Sequence, residues 1–173
     1  MNVLVAYGSK HGATKGIAER IAARLQAQGQ QAAARPVEAV GDLDGYDAFV
    51  IGSAVYGGHW TQEAIEFVRR HRALLANRPV WLFSSGPIGK MATRYEPMEP
   101  NSVAAIRRAL SPRDHRVFFG AWDRSRLDRS KLGLAERIIA KRLPEGDWRD
   151  WTAIDAWAAG IARRLPASPT ATR

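Results

Sequence analysis

The run GSKHGAT, residues 8 to 14, sets two hydroxyls (Ser9 and Thr14) and Gly12 between a short apolar stretch (Val3, Leu4, Val5) and a helical pattern. A helix that begins there offers unsatisfied N–H groups and the positive end of its dipole. With the two hydroxyls, this suits one terminal phosphate dianion. The same residues also read as a polar turn with a capping threonine, and the loop alone does not separate the two readings. It lacks the Gly-Lys-Ser/Thr ending of a P-loop and the G-x-G-x-x-G of a dinucleotide turn, which disfavours ATP and NAD. No aspartate ends the first apolar run, which disfavours a phospho-acceptor receiver domain.

Two further loops carry the same small-residue chemistry: SAVYGGHW (53 to 60) and SSGPIG (84 to 89). Gly57 and Gly58 allow backbone conformations with positive φ close to a ligand, and Gly86 and Gly89 do the same opposite them. Tyr56 and Trp60 offer faces for stacking on a flat ring, or they pack on the helix that follows. Four histidines (His11, His59, His71, His115) show no paired spacing, so each reads as a surface or loop residue and none as a metal ligand.

Strand-like and helical runs alternate to the end of the chain, which predicts a parallel sheet with helices on both faces. The strands are expected at 2–7, 47–53, 79–85 and 116–122, with 30–37 at an edge because Pro36 cannot donate to a ladder. Ile17, Ile21 and Leu25 stripe the first helix, which Gly29 stops. Thr61 is a candidate cap for a helix carrying Ala64, Ile65 and Val68, and Asn101 or Ser102 for one carrying Val103, Ile106 and Leu110. The last helix lines up Trp151, Ile154, Ala158, Ile161 and Leu165, with Asp147 or Asp150 at its positive end. Trp151 and Trp157 read as core. Residues 167–173 read as a flexible tail. In such a sheet the three loops fall at the carboxyl ends of strands and converge on one crevice.

The 173 residues suit one domain, 46% hydrophobic residues suffice for its core, and the absence of cysteine removes disulfides and thiolate chemistry. The chain enters its first apolar run without a signal-peptide pattern, and no apolar run is long enough to span a bilayer, so a cytoplasmic protein, soluble or peripheral, is expected. Lys and Arg exceed Asp and Glu by 26 − 17 = 9. Such charge draws anionic partners, whether nucleic acid, an acidic membrane face or a carboxylated substrate, without choosing among them.

Ser9-x-x-Gly12-x-Thr14, preceded by Tyr7 and followed by Ala18 and Ile21, resembles the flavodoxin signature, with Ala6 a departure from its usual bulkier residue. The resemblance covers essentially the whole chain. It implies a flavodoxin-like, doubly wound five-stranded parallel sheet of order 2-1-3-4-5, one FMN-binding domain over 1–166, and an insertion before the last helix. VIGSAVYGGHWTQEAIEFVRRH (50–71) and GDWRDWTAIDAWAAGIARRL (146–165) are similar to the menaquinone-dependent protoporphyrinogen oxidase branch. By that resemblance Ser9, Lys10, His11, Gly12, Ala13 and Thr14 hold the FMN phosphate. Ser53, Ala54, Val55, Tyr56, Gly57 and Gly58, with Ser84, Ser85, Gly86, Pro87, Ile88 and Gly89, bracket the isoalloxazine ring. The chain departs from the branch at Tyr56, where a basic residue is common, and Lys10 and His11 place charge beside a phosphate that typical flavodoxins hold with neutral groups.

The resemblance implies an FMN-dependent oxidoreductase that oxidises a porphyrinogen and passes electrons to a quinone. Typical flavodoxins are acidic, and this chain is basic. Positive surroundings favour an anionic reduced flavin, hence acceptance of electrons from an organic substrate, and they attract ionised propionates. A flavodoxin-type electron carrier or quinone reductase is the second reading. A basic nucleic-acid-binding module is the third, but it leaves the three loops unexplained and lacks a clustered basic helix with interleaved aromatics. In the insertion, about 123–147, Leu132, Leu134, Ala135, Ile138, Ile139 and Leu143 can share a helical arc flanked by Arg137 and Lys141. That arc either packs on the domain or meets an anionic membrane or quinone. No residue stands out as an acid or base catalyst, and nothing in the sequence sets the oligomeric state.

Overall fold

The computed structural model of the chain describes residues 1–86, 88, 98–123, 125 and 143–166. Along the chain run β1 (Asn2–Gly8), α1 (Ala13–Ala27), β2 (Gln31–Pro36), β3 (Ala48–Tyr56), β4 (His59–Trp60), α2 (Gln62–Arg70), α3 (Arg72–Leu75), β5 (Val80–Ser85), α4 (Asn101–Leu110), β6 (Asp114–Phe118), β7 (Ala121–Trp122), β8 (Gly146–Asp147) and α5 (Trp151–Arg164). The main sheet orders β2-β1-β3-β5-β6, every neighbour parallel, and the two-residue β4 pairs antiparallel with β3. Counting the five parallel strands alone, this is the doubly wound order 2-1-3-4-5.

The apolar runs in the central strands follow from burial on both faces. Val3, Val5, Val50, Trp81 and Phe83 meet Ile17, Ile21, Leu25, Ile154 and Ile161 of α1 and α5 on one face. Leu4, Ala6, Phe49, Ile51 and Leu82 meet Phe67, Val68, Leu75, Val103 and Ile106 of α2, α3 and α4 on the other. Successive residues of a strand point to opposite faces, so an unbroken apolar run fills two layers at once. Gln31–Pro36 lies at one edge, where Pro36 leaves no central ladder bond unmade.

Several helix ends behave as their chemistry dictates, and the start of α4 departs from expectation. Gly29 stands at φ 82°, and the Gln30 N–H donates back to the Leu25 carbonyl at 3.1 Å, a glycine C-cap. Thr61 Oγ1 caps α2 by accepting from the Ala64 N–H at 3.4 Å, and Asp150 caps α5 by accepting from the Ala153 N–H at 2.9 Å. Asp150→Ala is expected to cost about 1 kcal/mol, read as a lower urea midpoint at unchanged slope. At α4 the N-cap is Pro100, with no side-chain cap. Neither Asn101 nor Ser102 serves there: both fall inside the helix, and the Ser102 Oγ accepts the Trp60 N–H at 3.0 Å instead.

The expected strand 116–122 is two elements. β6 starts two residues earlier and ends at Phe118. Gly120 then passes so close to Gly86 and Ile88 that a Cβ there would lie 3.1 Å from Ile88 Cγ2, and the chain turns away. Ala121–Trp122 pairs antiparallel with Gly146–Asp147, so the two ends of the insertion are held together as a short ribbon. Its apolar arc and flanking bases, apart from Leu143, lie outside the described residues, as do residues 167–173.

Candidate functional site

The order of the sheet reverses between β1 and β3, and a crevice opens beyond the carboxyl ends of such strands. Residues 9–12 leave β1 there, residues 57–58 follow β3, and Gly86 follows β5. The first two loops touch through the His11 and Tyr56 rings, 6.0 Å apart edge-on, and Lys10 Nζ stands 5.5 Å from the Tyr56 ring centroid. Gly86 approaches Val55 so closely that a Cβ would meet Val55 Cβ at 3.3 Å. The described parts of all three loops are therefore brought together. Pro87 and Gly89 lie outside the described residues, and Ile88 is half-buried beside Gly120.

The first loop has the features of an anion site. Ser9 Oγ accepts the Gly12 N–H at 3.1 Å, and Gly12, the N-cap of α1, takes the left-handed conformation at φ 84°. No side chain caps α1. Thr14 is fully buried, and its Oγ1 has no hydrogen-bond partner, so the capping-threonine reading is overturned. A sealed hydroxyl with nothing to bond is costly, and here it stands in the first turn of a helix whose leading N–H groups are open. One phosphate would satisfy both, and the residues present fit that group.

The second loop divides its roles. Gly57 and Gly58 stand at φ 56° and 81°, which fits the expectation of a left-handed turn. Tyr56 is 41% exposed, and partial burial pushes its phenol pKa up to about 12, with the Lys10 amide pulling down and the Glu63 charge pushing up. The Tyr56 phenol is therefore neutral throughout the physiological range. Ser53 turns inward: its Oγ accepts the Thr61 N–H at 2.9 Å and donates to the Ala54 carbonyl at 2.8 Å. Trp60 is buried in the layer under α2 and donates its indole N–H to Ser84 Oγ at 2.8 Å. It is core, packed with Ala64, Phe67 and Val68 of α2, so of the two readings the packing one holds for Trp60.

The third loop uses its glycine for close packing, and one expectation, for His115, is corrected. Gly86 does not take a positive φ: its N–H donates to the Phe118 carbonyl at 2.9 Å, continuing the parallel ladder, and its missing side chain leaves room for Val55. His115 is not a surface or loop residue. It lies on β6 with a side chain 3% exposed, between Ser84 Oγ at 2.9 Å and Glu99 Oε2 at 3.1 Å. Starting the strand at Arg116 hid it. Strand alternation from Val117 would have turned it toward the sheet face that carries Trp60.

Trp122, Gly146 and Arg149, which lie outside the three loops, complete the rim. His11 meets Trp122 edge-on at 4.9 Å. Together with Ala13, Gly146 and Arg149, the two line a cavity of about 410 Å³ beside the first loop. Arg149 is fixed by Asp147 on β8, stacks on Trp151 at 4.4 Å, and donates to the Ala13 carbonyl at 3.3 Å, which ties the ribbon to the start of α1. Among the described residues no cluster of His, Asp and Glu could hold a metal ion.

A family model described as the flavodoxin domain matches residues 4–144. Protoporphyrinogen IX dehydrogenase [quinone] of Escherichia coli (strain K12) is 28% identical over 106 residues, which span 60% of this chain and 58% of that relative. Among solved structures, a flavodoxin from the domain Archaea superposes with a TM-score of 0.62 at 16% identity, covering 95% of this chain and 98% of its own. Oxidised flavodoxin 1 from Bacillus cereus does so with a TM-score of 0.64 at 11% identity, covering 96% and 100%.

Proposed function

The chain belongs to the flavodoxin domain family and its cofactor is FMN, and from that premise we propose that it oxidises protoporphyrinogen IX with a quinone as electron acceptor. The observation that carries the substrate is the 28% match to the quinone-dependent dehydrogenase, over a little more than half that relative's length. The strong positive charge of the chain, +9, supports it, because ionised propionates are drawn to such a surface.

Bound FMN supplies the redox chemistry, and the protein positions it and controls what reaches it. In the proposed site Ser9, Lys10, His11, Gly12, Ala13 and Thr14 hold the phosphate. Thr14 Oγ1 donates to a phosphate oxygen, the open amides of the first turn add further donors, and the Lys10 ammonium offsets the negative charge. Residues 53–58 and 84–89 bracket the ring. Within them Tyr56 offers the exposed aromatic face, Gly57 and Gly58 let backbone approach, and the hydroxyls of Ser53 and Ser84 are committed to holding the loops in place.

Among the described residues no helix is long and apolar enough to cross a membrane. Peripheral contact with an anionic membrane belongs to this proposal and rests on the sequence of residues 123–147 alone.

Anaerobic addition of protoporphyrinogen to the FMN-loaded protein, without quinone, should bleach the flavin absorbance, and a menaquinone analogue should restore it. Added salt should raise the apparent KM for the porphyrinogen, because the attraction acts through exposed charge. A loaded flavin that stays oxidised under these conditions would overturn the substrate assignment and point to an electron carrier or quinone reductase.

A further inference from the structure

Among the described residues three buried side-chain polar atoms have no hydrogen-bond partner: Thr14 Oγ1, Trp81 Nε1 and Trp122 Nε1. A buried polar group left open in a native fold calls for a missing partner. Trp81 stands near the start of β5, opposite Asp114 and under the Arg113 guanidinium, at the end of the sheet away from the three loops. The other two orphans both belong to the first loop. Thr14 lies in the first turn of α1, and the Trp122 indole meets the His11 ring edge-on at 4.9 Å.

An indole N–H only donates, so Trp122 Nε1 needs an acceptor. Trp122 is 8% exposed, and the nitrogen itself is sealed from solvent. The cavity that Trp122 lines with His11 and Ala13 also carries the carboxylates of Asp123, Glu145 and Asp147. None of the three bonds the indole. Asp147 is engaged by Arg149, and Asp123 accepts from the N–H and the hydroxyl of Ser125. The described chain thus supplies no acceptor for this donor, while the loop beside it is built to receive an anion rich in acceptors.

We propose that Trp122 is a phosphate-binding residue, its indole N–H donating to an oxygen of the FMN phosphate, so that the ribbon at the base of the insertion takes part in holding the cofactor. The proposal rests on the flavin reading above. The His11 ring stands against the indole and comes from the loop that takes the phosphate, so it turns aside as the anion enters. An uncharged donor suits the place. A lysine here would pair with the carboxylates on the same wall, as Arg149 does with Asp147, whereas the indole N–H stays open for the phosphate.

The assignment also changes how the ribbon is held. In the ligand-free fold Arg149, just after β8, ties it to α1 through the Ala13 carbonyl. Trp122 sits on the other strand, paired with Gly146. With the phosphate bound, both strands of the ribbon are fastened to the first loop, so cofactor loading fixes both ends of the insertion.

The test follows the Trp122 indole N–H resonance of the wild-type apoprotein, assigned through its proximity to the His11 ring, at about pH 8, where the FMN phosphate is a dianion. FMN should move this resonance strongly downfield, as a bond to a charged acceptor does, and riboflavin, which lacks the phosphate, should leave it in place. Trp122→Phe keeps an aromatic ring against His11 and removes the donor. It should weaken FMN binding about 10- to 150-fold and leave riboflavin affinity within about twofold. Equal weakening of both flavins, the mark of a packing role, overturns the proposal, as does unchanged binding of both. Should the variant fail to fold, the wild-type resonance decides by itself. A resonance that stays in place while both flavins bind overturns the proposal alone, whereas failure of both flavins to bind the wild-type protein overturns the flavin reading and this assignment with it.

Discussion

Replacing Thr14 by valine should weaken FMN binding by about 1 to 3 kcal/mol, roughly 5- to 150-fold, while leaving riboflavin affinity unchanged and the apoprotein no less stable. Valine has nearly the shape of threonine, so the core around position 14 keeps its packing. In the ligand-free fold the Thr14 hydroxyl is sealed and unpartnered, so removing it relieves a desolvation cost. With FMN bound, the same hydroxyl meets a phosphate charge, and hydrogen bonds to charged groups are the strong class. Stability and affinity therefore move in opposite or independent directions, which a purely structural role of Thr14 would not produce. Titration of both flavins into both proteins, with urea unfolding of the two apoproteins, reads all three quantities. Equal loss of FMN and riboflavin, or no loss of either, would remove the phosphate from this loop.

What could be read from the sequence was local. The strand that buries Val3, Leu4 and Val5, the hydroxyl-glycine loop after it and the stripe of Ile17, Ile21 and Leu25 are set by short-range patterning, and the structure has them where the pattern puts them. What could not be read depended on partners far along the chain. Trp60 follows two glycines in a loop, which looks like a residue free to stack. The turn at Gly57 and Gly58 folds it back over β5 to reach Ser84, 24 residues away. Ser102 looked like a cap and serves instead as an acceptor for the Trp60 amide. The run RVFFGAW is apolar throughout, so nothing in its composition shows that close packing of Gly120 on Gly86 and Ile88 breaks the strand. His115 was hidden for a related reason. A lone histidine beside a charged residue looks solvated, and only the register that sets it next to Leu82 on β5 shows that it is enclosed. The phosphate chemistry of the first loop is legible in its own hydroxyls and glycine, though not separable there from a polar turn, and the ring-bracketing roles of the other two come from the family likeness. The sealed Thr14 hydroxyl now gives the first of those assignments a physical test of its own.

The largest loss of stability is expected from Gly52→Ala, about 3 kcal/mol or more, near the upper end for overpacking a core. Gly52 lies in the middle of β3, between Tyr7 of β1 and Phe83 of β5. The Phe83 ring lies across it, so that a Cβ at position 52 would overlap three ring atoms. The ring cannot swing aside. Phe83 is 0% exposed, and its centroid stands 6.4 Å from both Phe118 and Trp157, which close the space beneath α5. The strain must go into the backbone of β3 or β5, the two strands that lead to the second and third loops of the candidate site. Weaker FMN binding should therefore accompany the lower urea midpoint in any fraction that still folds. Phe83→Leu in the Gly52→Ala background tests the cause. Leucine loses the ring that blocks the new methyl, so the double variant should be more stable than the sum of the two single losses by about 1 to 3 kcal/mol, the size of coupling seen between residues in contact. Two losses that simply add would mean that Gly52 is glycine for some reason other than the Phe83 ring.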